Sequence, residues 1–462
     1  MTEAGKAQAQ LVSETAAGGP LNRLVLDLWQ RTRIDWGFAS DRLADAFRRP
    51  IGTPAGTKRR ERRLRSDERR FASETLYGMI RHLRRVDEAL AAGGLRPGGA
   101  APDRERLLAY LVLEAGLPPQ DAARHARGLD WQRVAGIDAE LARERDPARR
   151  IARTHSLPDW LAQALVAERG ADTAAELAAA LNQRAPMTVR ANLLAGDADG
   201  LVAELGRAGL TAHRGQLGPA AVQVDSRTNL FGLDAFRSGR FEAQDEGSQL
   251  IAELVAPPPR SRTVDYCAGA GGKTLALAAL MGNRGRVIAC DVDQRKLEEL
   301  RRRARRAGAT NIQTITLASD PDAALPPVLG LLEGASERVL VDAPCTGVGA
   351  LRRNPEARWR LVPSDLERLP ALQLAIARRA LDLVAPGGRL IYATCTVLRS
   401  ENQGVVERLL AERPGLELVP VKDVWGSARA APIVDSSGAF LELLPHRHGT
   451  DGFFAAVLRR RG

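Results

Sequence analysis

The sequence predicts a multidomain fold with an all-helical N-terminal domain, a small α+β module and a C-terminal α/β domain of the Rossmann-like type. Three observations support this prediction. Apolar residues recur at helical spacing early in the chain, as in Leu24, Val25, Leu28 and Trp29. A strand-like segment, Met187–Asn192, opens a region of short alternating segments. Beyond residue 261, strands alternate with helices, an order typical of a parallel sheet.

The chain has 462 residues, which suits two or three domains with linkers. The first residues are rich in Ala, Gly, Gln and Thr and show no core pattern. The predicted segments are a disordered tail at 1–20, an all-helical domain at 21–150, a helical linker at 151–184, a small α+β module at 185–240 and the α/β domain at 241–462.

The charge of the chain indicates the class of its partner. The formal net charge is +11 and the isoelectric point is about 10.2. Such an excess predicts a polyanionic partner, with nucleic acid as the first choice, although a general bias toward arginine would give the same charge. The basic run Lys58–Arg65 is a candidate for RNA contact, and a solvated helix face is the alternative.

Other features bear on the location of the chain. It has no run of 18 apolar residues, so we expect no membrane partner. The N-terminus lacks the basic and apolar regions of a signal peptide, so we expect a cytoplasmic protein. We also expect a monomer.

A glycine-rich turn, Cys267–Lys273, follows the predicted strand Thr263–Tyr266 and opens a helix. A P-loop would need a glycine where Cys267 stands, and a dinucleotide turn would need one at Thr274. The loose glycine cluster after the acid Asp265 suits S-adenosylmethionine better. The next strand ends in an acid as well, and such an acid can hold ribose hydroxyls.

Several polar side chains fall at the carboxyl ends of predicted strands, where α/β sheets bind their ligands. They are Asp265, Asp291, Asp320, Asp342 and Cys395. The sequence therefore predicts one ligand site along this edge of the sheet.

The chain has four cysteines, and none forms a CxxC pair, so we expect free thiols and no metal site. Cys345 and Cys395 each follow a predicted strand on the ligand edge and have small polar neighbours. Each could simply be a small buried apolar residue. However, a thiolate that adds to carbon 6 of cytosine makes carbon 5 nucleophilic enough to take a methyl group.

These motifs together resemble the Sun (Nol/Nop) family of RNA cytosine-C5 methyltransferases, and the resemblance covers roughly 185–462. The matching segments are Asp265–Thr274, Asp342–Cys345, Arg352–Pro355, Thr394–Thr396, Glu401–Asn402 and His448–Phe454. The chain has Gly269 and Ala270 where the family commonly has Ala and Pro. The N-terminal half, around Asp67–Arg81, resembles the NusB-like RNA-binding domain of the bacterial 16S rRNA cytosine methyltransferase B subgroup.

The resemblance implies roles for individual residues. Cys395 would be the nucleophile and Cys345 would assist product release. In DNA cytosine methyltransferases the Pro-Cys cysteine attacks instead, so this order rests on the family. Asp342 would contact the base or the cofactor, with Lys273 as its electrostatic partner or in a structural ion pair. The methionine end of the cofactor would be held by Cys267, Ala268, Gly269, Ala270, Gly271, Gly272 and Lys273, the ribose by Asp291 and the adenine side by Asp320.

The resemblance implies an S-adenosylmethionine-dependent enzyme that forms 5-methylcytosine in rRNA, with 16S rRNA as the expected partner. One alternative is the same chemistry on tRNA or at another rRNA position. Another is a non-catalytic RNA-binding assembly factor, and the cysteines and strand-end acids argue against it. An NAD-dependent oxidoreductase is the remaining choice, and the paired cysteines disfavour it.

Overall fold

The computed structural model describes residues 3–48, 63–95, 102–225 and 229–462. The chain divides into two compact units. The first contains Met1–Gln183 together with Leu351–Pro363, and the second contains Arg184–Ala350 and Ser364–Gly462. The sequence prediction placed 351–363 inside the α/β domain, and the structure corrects this assignment.

The first unit is built from helices throughout its described residues. Its helices are Glu3–Ala16, Pro20–Asp35, Ala39–Arg48, Ser66–Arg81, Leu83–Ala92, Asp103–Glu114, Pro119–His125, Trp131–Ala135, Ile137–Leu141, Pro147–His155, Asp159–Arg169, Ala171–Asn182 and Ala357–Arg360. The predicted helical domain and helical linker thus share one unit. The likeness to NusB stays a prediction.

The predicted disordered tail at 1–20 is wrong. Residues Glu3–Ala16 form a helix, and its Leu11, Val12 and Ala16 are buried in the core of the first unit. These residues share one helix face, so burying them stabilises a segment whose composition alone suggests disorder. Of the predicted basic run, residues 58–62 lie outside the described part of the chain.

The segment 351–363 is anchored in the first unit by buried polar contacts. Arg358 is fully buried, and its Nη1 donates hydrogen bonds to main-chain oxygens of Arg81, His155 and Ser156 and to Asn182 Oδ1. The indole of Trp359 donates to the main-chain oxygen of Ile80 at 2.9 Å. Buried main-chain oxygens need such donors, so this segment contributes directly to the core of the helices.

The second unit contains the predicted α+β module. Its antiparallel sheet has the order β2-β3-β1-β4, with strands β1 Met187–Ala191, β2 Ala212–Arg214, β3 Ala221–Val224 and β4 Phe241–Ala243. The helices Ala198–Arg207 and Asp234–Arg237 accompany it. The predicted boundary at 240 was too early, because β4 pairs with β1.

The large sheet of the second unit is mixed, with the order β10-β12-β9-β8-β5-β6-β7 and β11 paired to β12. Its strands are β5 Arg262–Asp265, β6 Arg286–Asp291, β7 Ile312–Thr316, β8 Ser336–Asp342, β9 Val384–Thr394, β10 Leu416–Val419, β11 Leu441–Leu443 and β12 Phe453–Arg460. The strands β5 to β9 run parallel, as predicted, and β12 pairs antiparallel with β9.

Helices lie between these strands, as in a Rossmann-like domain. They are Glu246–Val255, Gly272–Leu280, Gln294–Ala307, Pro327–Gly330, Asp365–Leu381, Gln403–Glu412, Val421–Trp425, Ser427–Ala430 and Pro445–His448. The strand order reverses beside β5, which has β6 on one side and β8 on the other. Ligands bind at such a reversal, outside the carboxyl ends of the strands.

No helix within the described residues is both long enough and apolar enough to cross a membrane.

Candidate active site

The glycine-rich turn follows β5 directly. Gly271 has φ +86° and precedes the helix Gly272–Leu280, and a Cβ at this position would lie 2.4 Å from the side chain of Leu300. Only glycine satisfies both constraints. Thr274 Oγ1 donates to Asp265 Oδ2 at 2.7 Å, which ties the first turn of the helix to the end of β5.

Asp291 at the end of β6 holds the other side of this turn. Its Oδ2 accepts a hydrogen bond from the Gly269 amide at 2.7 Å, and its Oδ1 accepts one from the Asp293 amide at 2.8 Å. Each carboxylate oxygen retains a lone pair for a further donor. The acid therefore shapes the loop and remains able to accept from a ligand.

A cavity of about 380 Å³ opens along this edge of the sheet. Five of the predicted cofactor residues line it: Cys267, Gly269, Asp291, Asp320 and Asp342. Its apolar walls include Val292, Leu317, Pro326 and Ile376. The other predicted residues, Ala268, Ala270, Gly271, Gly272 and Lys273, form the turn and the start of its helix and do not line the cavity.

Lys273 and Asp342 form the ion pair that the sequence analysis considered. Lys273 Nζ lies 2.7 Å from Asp342 Oδ2 and 5.7 Å from the centre of the Phe453 ring. Burial opposes the charge of Lys273, but the carboxylate of Asp342, aided by Cys395 and Asp265, raises the pKa of Lys273. A permanent cation therefore stands close to the thiol of Cys395.

The two cysteines that follow strands, Cys345 and Cys395, are in contact. Cys345 follows β8 and Cys395 follows the neighbouring strand β9, and their Sγ atoms lie 3.3 Å apart. The hydrogen bond to Cys395, together with burial, raises the pKa of Cys345 well above its usual range. Cys345 is therefore held as a neutral thiol that can donate to Cys395.

The other two cysteines have different surroundings. Cys290 is fully buried within β6, and Cys267 lies in the turn at the cavity wall. Burial raises the pKa of Cys267 well above its usual range, and nearby Asp265 adds to the shift. Burial raises the pKa of Cys290 as well, so both thiols stay protonated at neutral pH.

Two glycines support the backbone at Cys395. The amide of Gly349 donates to the main-chain oxygen of Cys395 at 3.0 Å, and the amide of Gly452 donates to the oxygen of Gly349 at 2.9 Å. A Cβ at Gly349 would lie 2.2 Å from the oxygen of Gly452. No larger residue fits at Gly349 without moving this backbone.

A buried polar network behind the cysteines has no counterpart in the sequence-based site. The fully buried carboxylate of Glu401 accepts from the Thr346 amide at 2.9 Å, from Thr346 Oγ1 at 2.5 Å and from Gln373 Nε2 at 2.8 Å. Glu401 was noted only within a matching motif, and nothing in the sequence links it to Gln373. Only the fold brings these residues together.

Comparison with known proteins identifies the family. The model of the family "16S rRNA methyltransferase RsmB/F" matches residues 252–459, and a model of a ferredoxin-like domain of RsmF/B-like methyltransferases matches residues 157–230. The ribosomal RNA small subunit methyltransferase B of Thermus thermophilus is 31% identical over 85% of this chain and 89% of its own length. The chain belongs to the RsmB/F family.

Solved structures show the same fold. The crystal structure of PH0851 covers 96% of this chain and 98% of its own, with a TM-score of 0.74 and 24% identity. The structure of NSun6 from Pyrococcus horikoshii with SFG covers 66% of this chain and 98% of its own, with a TM-score of 0.57 and 21% identity.

Membership of the RsmB/F family confirms the prediction of a Sun-type enzyme. The chain is an S-adenosylmethionine-dependent rRNA methyltransferase. The ferredoxin-like match overlaps the region of β1 to β3 that was predicted as a small α+β module.

Proposed function

We propose that this chain methylates carbon 5 of a cytosine in 16S rRNA through a covalent adduct with Cys395. The observation that carries the proposal is the pair of cysteine sulfurs 3.3 Å apart at the ends of β8 and β9. Asp342, at the end of the same strand β8, lines the adjacent cavity. The name of the matched family and of the Thermus thermophilus relative favours small-subunit rRNA.

The cavity fits S-adenosylmethionine chemically. Asp291 keeps lone pairs for ribose hydroxyls, and Val292, Leu317 and Pro326 offer apolar surface to an adenine ring. Asp320 lies at the same wall and would accept from the adenine side. When bound, this molecule supplies an electrophilic methyl group.

The environment of the two thiols favours Cys395 as the nucleophile. Cys345 is held as a neutral thiol by its hydrogen bond to Cys395 and by burial. The cation of Lys273 lies near Cys395, so its charge can attract the negative charge that sulfur carries during the attack. The thiolate of Cys395 forms a bond to carbon 6 of the cytosine, and the electron pair of the ring double bond moves toward carbon 5. That carbon then becomes nucleophilic enough for methylation.

The contact between the two sulfurs supports a role for Cys345 in the release step. After methylation, carbon 5 must lose its proton so that the ring double bond can reform and the bond from Cys395 to carbon 6 can break. Cys345 can pass its own proton to the departing sulfur of Cys395 across their 3.3 Å contact and take up the proton of carbon 5. Both cysteines then end as thiols, and the released proton of the reaction leaves from Cys395 before the next turnover.

The two cysteines should therefore fail differently when replaced. Cys395→Ala should give neither methylation nor a covalent protein–RNA complex. Cys345→Ala should form the adduct but release it slowly, so a complex should persist on denaturing gels with labelled RNA and cofactor. Cys290→Ala, which alters a buried cysteine of β6, is the control and should trap nothing. A complex trapped by Cys395→Ala and absent from Cys345→Ala would reverse the two roles.

The choice of RNA needs a separate test. Bisulfite sequencing of 16S rRNA, 23S rRNA and tRNA from a deletion strain should show one unmethylated cytosine, and we expect it in 16S rRNA. Loss of 5-methylcytosine in tRNA alone would support the alternative substrate.

The NusB-like assignment of the N-terminal helices predicts RNA contact there, with an affinity that falls as salt rises. Such a substrate places the chain with the ribosome, in the cytoplasm.

A further inference from the structure

The loop that carries Cys345 is fixed from both sides by one buried network. On one side, Glu401 accepts from the amide of Thr346 at 2.9 Å and from its hydroxyl at 2.5 Å. On the other side, Gln373 Nε2 donates to the main-chain oxygen of Pro344 at 2.9 Å and to Glu401 at 2.8 Å. The residue before Cys345 is thus held by the amide of Gln373 and the residue after it by the carboxylate of Glu401, and these two groups are hydrogen-bonded to each other.

The same network reaches the second cysteine loop at the hydroxyl of Thr396, which is hydrogen-bonded to Glu401. Thr346 Oγ1 lies 2.9 Å from Thr396 Oγ1, and Thr396 directly follows Cys395. The backbone of Glu401 is itself held in place, because the hydroxyl of Tyr392 donates to the main-chain oxygen of Glu401 at 2.6 Å. Glu401 therefore has two hydrogen bonds to the Cys345 loop, both at Thr346, and one to the Cys395 loop, at the hydroxyl of Thr396.

We propose that Glu401 is a positioning residue that sets the place of the Cys345 thiol against Cys395 and so controls the release of the methylated RNA. The inference rests on the proposed function, since release from a covalent adduct exists only in that mechanism. A proton passes between two sulfurs only at close range, so a small displacement of Cys345 slows release. Attack by Cys395 on carbon 6 does not use this proton transfer and should be less affected.

A buried carboxylate surrounded by several donors suits this task better than a neutral group. Glu401 has two oxygens that only accept, which matches the amide and hydroxyl of Thr346 and the amide of Gln373. In Glu401→Gln, one of these oxygens becomes an NH₂ group that faces donors. The network must then rearrange around Thr346, beside Cys345.

The test compares two steps of the reaction in full-length protein. Single-turnover adduct formation reports the attack, and steady-state methylation reports the whole cycle including release. We expect Glu401→Gln to keep the rate of adduct formation and the KM for S-adenosylmethionine within about twofold of wild type. Steady-state kcat should fall by about tenfold, the worth of one buried hydrogen bond. A covalent protein–RNA species should then build up on denaturing gels.

A matched pair at Thr346 keeps the proposal testable even if Glu401→Gln folds poorly. Thr346→Val keeps the shape of the side chain and removes the hydroxyl, whereas Thr346→Ser keeps the hydroxyl. Thr346→Val should slow release and accumulate adduct, and Thr346→Ser should restore turnover. A purely structural role would make the two variants equal, or would lower attack and turnover by the same factor, and either result would overturn the proposal.

These measurements also distinguish a failure of the positioning role from a failure of the proposed function. If the wild-type protein forms no 5-methylcytosine, or Cys395→Ala still forms the adduct, the thiol mechanism itself is wrong. If wild type methylates normally while the Glu401 and Thr346 variants release product as fast as wild type, only the positioning role is wrong.

Discussion

Replacing Asp265 by asparagine should remove a pH dependence of stability that the fold imposes at the end of β5. Asp265 is fully buried, and its Oδ1 has no hydrogen-bond partner among the described residues. Burial raises the pKa of Asp265 from its ordinary value of 3.8 to about 7, with further raising by Asp342 and Asp291. The hydrogen bond from Thr274 and the charge of Lys273 oppose this shift.

The sign of the effect follows from proton binding. Between pH 3.8 and about 7 the folded protein holds a proton on Asp265 that the unfolded chain has lost. The free energy of unfolding therefore falls as pH rises through this window, by about 1.4 kcal/mol per pH unit. Across roughly three units the loss is about 4 kcal/mol. This loss of unfolding free energy is absent below pH 3.8 and complete above about pH 7.

Urea unfolding of the free protein at several pH values measures this effect, because titrating groups distant from Asp265 contribute equally in wild type and Asp265→Asn. The variant should gain about 4 kcal/mol relative to wild type between pH 4 and pH 8. Glu417→Gln is a control of opposite sign, because hydrogen bonding to Arg459 lowers the pKa of Glu417. A difference between Asp265→Asn and wild type that does not change with pH would refute the reasoning.

Three further predictions concern the site. Asp291→Ala should weaken S-adenosylmethionine binding by about 1–3 kcal/mol in calorimetry, and an unchanged affinity would contradict its ribose role. Lys273→Met leaves the carboxylate of Asp342 without its partner at 2.7 Å, so stability should fall by about 1–3 kcal/mol in urea unfolding and adduct formation should slow. Gly349→Ala would place a Cβ 2.2 Å from a main-chain oxygen, so kcat should fall at least tenfold in methylation assays. Gly415→Ala has open space around it and should be neutral.

The sequence was sufficient where a local pattern determines structure. The glycine-rich turn after β5 needs residues without a Cβ, and acids at the carboxyl ends of parallel strands share one edge because the strands are parallel. Asp291, Asp320 and Asp342 accordingly line one cavity. The meeting of Cys345 and Cys395 follows in the same way, since β8 and β9 are neighbours.

The sequence was insufficient where distant segments determine structure. Glu401 joins its partners from other elements in the buried network, and no spacing in the sequence reveals that contact. The helix Glu3–Ala16 was missed because its small and polar composition resembles a disordered segment, although Leu11 and Val12 are buried. Its stability comes from packing against other helices rather than from its own propensity.

Because Leu351–Pro363 belongs to the helical unit, deleting the residues before 184 does not remove that unit as a whole. Arg358 and Trp359 satisfy main-chain oxygens that lie in helices before residue 184. A truncation that deletes those helices would leave Arg358 without its acceptors and Trp359 without the main-chain oxygen of Ile80. Loss of activity in such a truncated protein would therefore not prove that the helices bind RNA. Exposed arginines of the helical unit, changed one at a time in the intact chain, test RNA contact without that ambiguity.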